Sequence, residues 1–218
     1  MPGKLTYFDL NGRGAAIRAM LDHAKFQFED ERLPREEFAA RKAAGAFPFG
    51  SVPVWEEEGE LMAGSNTILR GLGIRLGYYS ENPEICWQID SLVDWVEDTT
   101  DKLGAYVAPA VFALQELNVQ DGSRWIGDYW VPAMTLLEKR LKKHGKNWLA
   151  GTIKPTIADF KVFVPYMVIL CNSATPVPED VKVMLKREME KFPLYKAWAE
   201  RMSQELEEHL EDIPSRPL

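Results

Sequence analysis

Strand-like and helix-like periods alternate over the first part of the chain, and the strand signal then ends near residue 80, in Gly77-Tyr78-Tyr79-Ser80-Glu81-Asn82-Pro83. Before that point, residues 4–8 form a short β-type run, broken by Asn11-Gly12-Arg13-Gly14. Ile17, Met20, Leu21 and Ala24 follow at i, i+3, i+4 and i+7, the apolar stripe of a helix. Residues 26–33 alternate apolar and charged side chains as a strand does, and 35–44 is an Ala-, Glu-, Arg- and Lys-rich segment that reads as a short exposed helix. A Gly- and Pro-punctuated loop over 45–53 leads to Val54-Trp55-Glu56 and Glu60-Leu61-Met62, a hairpin around Gly59. Ser65-Asn66 opens a helix carrying Ile68, Leu69, Leu72 and Leu76. The order β-α-β-α-β-β-α predicts a small mixed sheet with helices on its faces.

Beyond the linker every apolar pattern is helical. Ile85, Ile89, Leu92, Val93 and Val96 predict a long helix running to about Pro109, and further helices are expected around 134–141, 160–170, 181–185 and 195–206, a bundle of five or six. The expected division is an α/β unit over 1–79 and an all-helical unit over 84–218.

Composition narrows the function. With 26 Lys+Arg against 33 Asp+Glu the net charge is −7, the opposite of the basic excess a general nucleic-acid binder carries. Hydrophobic content of 46% excludes intrinsic disorder, and no apolar run reaches the length of a membrane span. Met1-Pro2-Gly3-Lys4 leads directly into the first strand with no apolar leader, so a cytoplasmic location is expected. Cys86 and Cys171 form no CxxC and suit a reducing compartment as core residues; His23, His144 and His209 are scattered, so no metal site is expected. Gly12-Arg13-Gly14 lacks the remainder of a nucleotide-binding loop. The acidic runs around Glu56 and Glu205 read as solvated surface. Thr156 and Asp159 form an S/T-x-x-D capping box before an apolar helix, a structural rather than chemical feature.

Four segments together resemble one family. Lys4-Leu5-Thr6-Tyr7-Phe8-Asp9-Leu10-Asn11-Gly12-Arg13-Gly14, Phe47-Pro48-Phe49-Gly50-Ser51-Val52-Pro53-Val54, Ser65-Asn66-Thr67-Ile68-Leu69-Arg70 and Gly151-Thr152-Ile153-Lys154-Pro155-Thr156-Ile157-Ala158-Asp159 are similar, in order and spacing, to cytosolic glutathione transferases of the tyrosine type, nearest the sigma, mu and pi classes. The tail Pro214-Ser215-Arg216-Pro217-Leu218 also resembles mu and pi tails. The resemblance implies a thioredoxin-like N-terminal domain that binds glutathione, joined to an all-α C-terminal bundle.

It also implies a chemistry. A free thiol with a pKa near ~8.5 is mostly protonated at neutral pH, and lowering it by about two units takes roughly 2.7 kcal/mol of preference for the anion. A hydrogen bond to a charged group supplies about 1.5–3 kcal/mol, so a single hydroxyl can do most of this. Tyr7, at a strand end, is by resemblance that hydroxyl, and Arg13 its electrostatic support; read alone they are a strand aromatic and a turn arginine. A cis bond at Val52-Pro53 is implied, turning the backbone of Val52 towards the cysteinyl part of glutathione, a strand addition in miniature. Ser65 begins a helix whose N-terminus suits the γ-glutamyl carboxylate, although a plain N-cap serine looks the same. A glutamine-like residue usually precedes it, and Gly64 stands there without that polar contact. Phe38 occupies the place of a frequent tryptophan, and the segment after it is slightly longer than in sigma patterns, which leaves both Arg41 and Lys42 open as the cation for the glycine carboxylate. Asp101 matches an aspartate that reaches across a dimer to the glutathione α-amino group.

By analogy Phe8, Leu10, Tyr106, Pro109 and Phe112 line an acceptor pocket, and Phe47 or Phe49 is the aromatic key of a homodimer. The implied function is conjugation of the glutathione thiolate, with glutathione as co-substrate, to a hydrophobic electrophile, without metal, nucleic acid or membrane span. A glutathione-dependent isomerase is the related alternative. A second hypothesis is a non-catalytic interaction module or subunit of this fold, which Gly64 and the helix-breaking Gly71 and Gly73 would suit.

Overall fold

The structure, a computed structural model, describes residues 3–113, 115–144 and 147–212; the tail 214–218 singled out above lies outside them. Four strands, β1 (Lys4–Tyr7), β2 (Glu29–Arg32), β3 (Val54–Glu57) and β4 (Glu60–Ala63), form one mixed sheet in the order β2-β1-β3-β4. β1 runs parallel to β2, with Lys4 opposite Glu29 and Tyr7 opposite Arg32, and antiparallel to β3, with Leu5 opposite Trp55. β3 and β4 are joined by Glu58-Gly59, both at positive φ (52° and 85°), as a two-residue type I′ turn requires. Helices α1 (Ala15–His23), α2 (Arg35–Ala43) and α3 (Ser65–Leu76) complete this half. The parallel β1–β2 pair needs a crossover, and α1 supplies it with its buried stripe Ile17, Met20 and Leu21.

The strand expected over 26–33 is shorter. Lys25 adopts a positive φ of 51°, and the chain joins the sheet only where the Glu29 N–H donates to Gly3. Phe26 and Phe28 instead pack on the buried Trp55, at 6.3 and 6.2 Å between ring centroids.

The remainder is helical: α4 (Pro83–Ala113), α5 (Val119–Trp125), α6 (Val131–His144), α7 (Ile157–Tyr166), α8 (Glu179–Met189), α9 (Pro193–Glu205) and α10 (Glu207–Asp212), with π-helical turns at Ile126–Trp130 and Met167–Cys171. That exceeds the five or six expected. α4 does not stop at Pro109 but carries it inside and continues to Ala113, so that Val111 and Phe112 stay on a helix facing the cleft described below. α5 escaped the sequence reading because Gly122 interrupts a short element. The glycine is there for clearance: a Cβ would lie 2.6 Å from both the Tyr106 hydroxyl oxygen and Val181 Cγ2.

α7 is the buried axis, contacting α4, α1, α9 and α3. Its start is the anticipated capping box. Asp159, fully buried, accepts from Thr156 N–H (2.8 Å) and Oγ1 (3.0 Å), and also from Leu149 N–H (3.0 Å) and Trp198 Nε1 (2.9 Å). Burial pushes its carboxyl upward and these four donors oppose that push.

Gly71 and Gly73 of α3 are packing contacts rather than weak points. A Cβ at Gly73 would meet Ile157 Cγ2 at 2.3 Å, and one at Gly71 would meet Met62 Cε and Sδ at 3.0 Å. The α3–α7 contact of the two halves depends on the first of these. The expected solvated acidic runs are engaged in part: Glu56 pairs with Lys4 (2.7 Å), Glu57 with Arg75 (2.5 Å) and Glu208 with Lys25, and Glu205 hydrogen-bonds His23 Nε2 (3.1 Å). Cys86 and Cys171 are half-buried, the Cys86 thiol donating to Ser80 C=O (2.9 Å).

Candidate active site

Tyr7 ends β1 and is buried, with 6% of its surface exposed. The 3₁₀ turn Gly12–Gly14 is folded against it: a Cβ on Gly12 would sit 2.6 Å from the phenol oxygen, and one on Gly14 2.7 Å from the ring. This is why the turn reads Gly-Arg-Gly. Its central residue donates its backbone N–H to the Tyr7 oxygen at 2.9 Å. Accepting there leaves the phenol hydrogen to another acceptor, and none of the described residues takes it. Burial pushes the phenol upward more than the Arg13 N–H and the Arg13 and Arg18 charges pull it down. Tyr7 is therefore a neutral hydrogen-bond donor at physiological pH.

Arg18 is a functional support that the sequence reading missed. It lies within the apolar stripe of α1 and is 1% exposed. Its guanidinium donates to Leu10 C=O (2.8 Å), Phe8 C=O (3.3 Å) and the Asp30 carboxylate (3.1 Å), and lies 5.6 Å from the Tyr7 ring centroid. It thereby fixes the loop that seats Tyr7. The available signal was a cation at a helix position whose neighbours are all apolar.

Beside Tyr7 opens a cleft of about 430 Å³ between the turn and the helices. Leu10 and Arg13 line one wall, Leu103, Val107, Val111 and Phe112 of α4 the other, and Val164 and Val168 the floor. Of the five pocket residues anticipated, Leu10 and Phe112 line it. Phe8 does not; its ring packs edge-on against Phe38, 5.1 Å between centroids. Tyr106 points to the far side of α4, where burial against α5 pushes its phenol up to about 12, and Pro109 is absent from the lining. Arg35 of α2 lies 4.2 Å above the Phe112 ring at the mouth.

The side chain of Arg13 carries a chain of charges into the bundle. Its guanidinium meets Asp101 at 2.7 Å and Glu97 at 3.4 Å, and the other oxygen of Glu97 meets Lys161 Nζ at 2.8 Å. Asp101 is thus at the cleft rim and paired within its own chain.

The remaining anticipated residues sit around the β3 edge. The Val52-Pro53 bond is cis. Val52 packs its side chain with Phe38 on a small cluster of Leu33, Phe47, Val54 and Ala63, and among the described residues its backbone N–H and C=O have no partner. Ser65 is the first helical residue of α3 rather than its N-cap. Gly64 holds that position, at φ 91°, and no side chain caps the helix. Arg41 is already engaged by Glu31 (2.7 Å) and Glu37. Lys42 is exposed, its ammonium 5.7 Å from the Phe38 ring centroid. Phe47 is buried and stacked on Phe38 (5.6 Å), which removes it as a dimer key, whereas Phe49 is 78% exposed. Among the described residues no His, Cys, Asp and Glu cluster suits a metal ion, and no helix is long and apolar enough to cross a membrane.

Comparison with known proteins agrees with this geometry. Glutathione S-transferase 1 of Ascaris suum is 41% identical over 95 residues, 44% of this chain and 45% of that protein. The chain spans about half the length of the curated relatives it matches. Over nearly the whole chain it superposes on the glutathione S-transferase of Ascaris lumbricoides (29% identity, TM-score 0.66, covering 93% of this chain and 98% of that one) and on the Pi-class enzyme of Onchocerca volvulus (25% identity, TM-score 0.74, covering 97% and 93%). No protein-family model matches. The fold is that of the glutathione S-transferases, a thioredoxin-like half joined to a helical half. The sequence kinship, over the part it covers, is to the glutathione S-transferase family.

Proposed function

We propose that the protein is a tyrosine-type glutathione transferase, sigma/mu-like, in which Tyr7 donates its hydrogen bond to the glutathione thiolate. The observation that carries this reading is a neutral, buried phenol whose oxygen is held by Arg13 N–H and whose hydrogen is available beside an apolar cleft. The thiol proton leaves to solvent. The thiolate lone pair then forms a C–S bond to an electrophilic carbon lying against Leu10, Val107 and Phe112, and the displaced electrons leave with a leaving group or move onto a conjugated acceptor.

Residues 1–79 hold glutathione in this reading. The unpartnered Val52 backbone pairs with the cysteinyl unit, and the open N-terminus of α3 at Ser65, next to Gly64, takes the γ-glutamyl carboxylate. Lys42 rather than Arg41 answers the glycine carboxylate, beside Phe38, because Arg41 is already neutralised. Residues 84–218 supply the acceptor wall. A cytoplasmic homodimer completes the site: the exposed Phe49 of one copy suits the groove of about 600 Å³ between α4 and α6, lined by Trp95, Tyr129, Pro132 and Leu136, and places Asp101 beside its partner's glutathione.

The test is a calorimetric titration with glutathione alongside thiolate absorbance in the wild type and in Tyr7→Phe. Micromolar to millimolar binding is expected in both, with the neutral-pH thiolate signal lost in Tyr7→Phe. An unchanged thiolate signal in Tyr7→Phe refutes the role of Tyr7, and no binding to the wild type refutes the transferase reading.

A further inference from the structure

Beyond the capping-box Asp159 at its start, α7 buries one further charged side chain, Lys161, which is 3% exposed and shares a helix face with the cleft-floor residues Val164 and Val168. An ammonium in such a place carries a desolvation cost that a hydrophobic residue of similar size would not, so a buried ion pair is weak evidence of a stabilising role. What distinguishes this pair is where it leads. Lys161 meets one oxygen of Glu97 at 2.8 Å; the other oxygen reaches Arg13 at 3.4 Å; Arg13 meets Asp101 at 2.7 Å. Side-chain exposure rises along this alternating series from 4% at Lys161 through 20% and 48% to 60% at Asp101, so it runs from the bundle core to the cleft rim. Arg13 is also the residue whose N–H holds the Tyr7 oxygen.

We propose that Lys161 is a positioning residue for the Tyr7 site: by claiming one oxygen of Glu97 it keeps that carboxylate from drawing in the Arg13 guanidinium, which stays anchored at the rim by Asp101 with its backbone N–H aligned on the phenol. The inference rests on reading Tyr7 as the thiol-ionising residue. The charged groups that face the phenol are Arg13 from the turn, Arg18 from α1 with its partner Asp30 from β2, Glu97 and Asp101 from α4, and Lys161 behind Glu97 from α7. Without the Lys161 ammonium, Glu97 has Arg13 as its remaining cation. The guanidinium then moves inward, the N–H leaves the phenol oxygen, and the positive field at the sulfur falls.

The test uses Lys161→Met, Lys161→Arg and the double variant Lys161→Met with Glu97→Gln, in the full chain. The first readout needs no glutathione: amide hydrogen exchange of the Arg13 N–H near neutral pH. Lys161→Met is expected to lose roughly fivefold to tenfold of that protection, the worth of one hydrogen bond. Lys161→Arg restores it, and so does the double variant, because no carboxylate at position 97 is left to pull Arg13 inward from Asp101. The double variant buries no charge in place of two, so it keeps the question answerable where the single variant does not fold. The second readout is the pH midpoint of bound-glutathione thiolate, expected about half a unit higher in Lys161→Met, a threefold loss of kcat/KM below the midpoint that disappears above it. A folded Lys161→Met with unchanged Arg13 protection overturns the proposal, as does a double variant as unprotected as the single. If wild-type protein shows no thiolate with glutathione, the transferase reading fails, while Arg13 exchange still decides whether Lys161 acts through Glu97.

Discussion

The choice between Arg41 and Lys42 yields the sharpest prediction, because the two are adjacent and the structure gives them opposite jobs. Arg41 bridges β2 and its own helix, meeting Glu31 at 2.7 Å and also Glu37, while Glu31 takes a further bond from Thr6 Oγ1 (2.7 Å). Lys42 is exposed beside the aromatic Phe38. An exposed ammonium–carboxylate contact is worth about 0.5–1 kcal/mol. Lys42→Ala should therefore weaken glutathione binding about twofold to fivefold. The assay compares glutathione with its analogue amidated at the glycine carboxylate. Wild type should prefer the acid by that factor, Lys42→Ala should bind both alike, and Arg41→Ala should keep the preference.

Arg41→Ala should instead lower stability, by about 1 kcal/mol for surface pairs of this exposure. The Arg41 guanidinium, ahead of the Thr6 hydroxyl, holds the Glu31 carboxyl below its ordinary value. A carboxylate depressed in the folded state stabilises above its unfolded pKa, and this stabilisation fades as pH falls through the folded pKa. The gap between Arg41→Ala and wild type should accordingly be full at neutral pH and narrow below about pH 4 in urea unfolding. Loss of the acid preference in Arg41→Ala, with Lys42→Ala unaffected, would sink the assignment.

Three further outcomes are expected. Gly73→Ala gains about 1 kcal/mol of helix propensity but drives a methyl to 2.3 Å from Cγ2 of the stiff, buried Ile157, an overpacking in the upper part of the usual range at about 2–3 kcal/mol, so urea unfolding should show a net loss of about 1–2 kcal/mol; no loss would mean that α3 and α7 are not seated as described. Thr156→Ala removes a cap and one of the four donors on buried Asp159, costing about 1–2 kcal/mol, and Thr156→Ser should recover most of it, as melting curves will show. Burial pushes the Cys171 thiol up to about 11, so peptide mapping after iodoacetamide treatment should find it unmodified at pH 8 in the folded protein and alkylated once the chain is denatured.

What the sequence disclosed was what local chemistry decides. The α1 stripe, the hairpin turn at Gly59 and the Thr156–Asp159 box are all set by residues within a few positions of one another, and the structure has them where the pattern put them. Features decided by distant partners were illegible. Arg41 and Lys42 project about 100° apart on a helix, and which of them is free depends on Glu31, a strand away. Phe47 and Phe49 are equivalent in a loop until a cluster formed by Leu33, Val54 and Ala63 takes one of them. Gly122 reads as a helix breaker because the side chains it admits, Tyr106 and Val181, belong to other helices. Arg18 and Lys161 were visible as charges in apolar stripes, but their partners lie on other elements.

The glycines that favoured a non-catalytic module now argue differently. Gly73 is required by Ile157 and Gly71 packs closely on the end of Met62, so they report on packing and carry no message about activity. Gly64 stands at φ 91°, ψ 123°, a backbone setting that an L side chain enters only with strain. A glutamine there would offer a polar side chain at the cost of holding the backbone in that region; glycine gives up the side chain and keeps the geometry without strain. A Cβ at Gly64 would touch nothing closer than Thr67 Oγ1 at 3.5 Å, so the constraint is the backbone and not crowding. What survives is the start of α3, with its uncapped N–H groups and Ser65 beside the Val52 edge, and an anion is attracted to those groups and to the helix dipole rather than to the missing side chain. In the transferase reading, the loss of one polar contact therefore weakens glutathione binding without dismantling the machinery at Tyr7, which is held by Arg13, Gly12 and Arg18, all contributed by the first turn and α1.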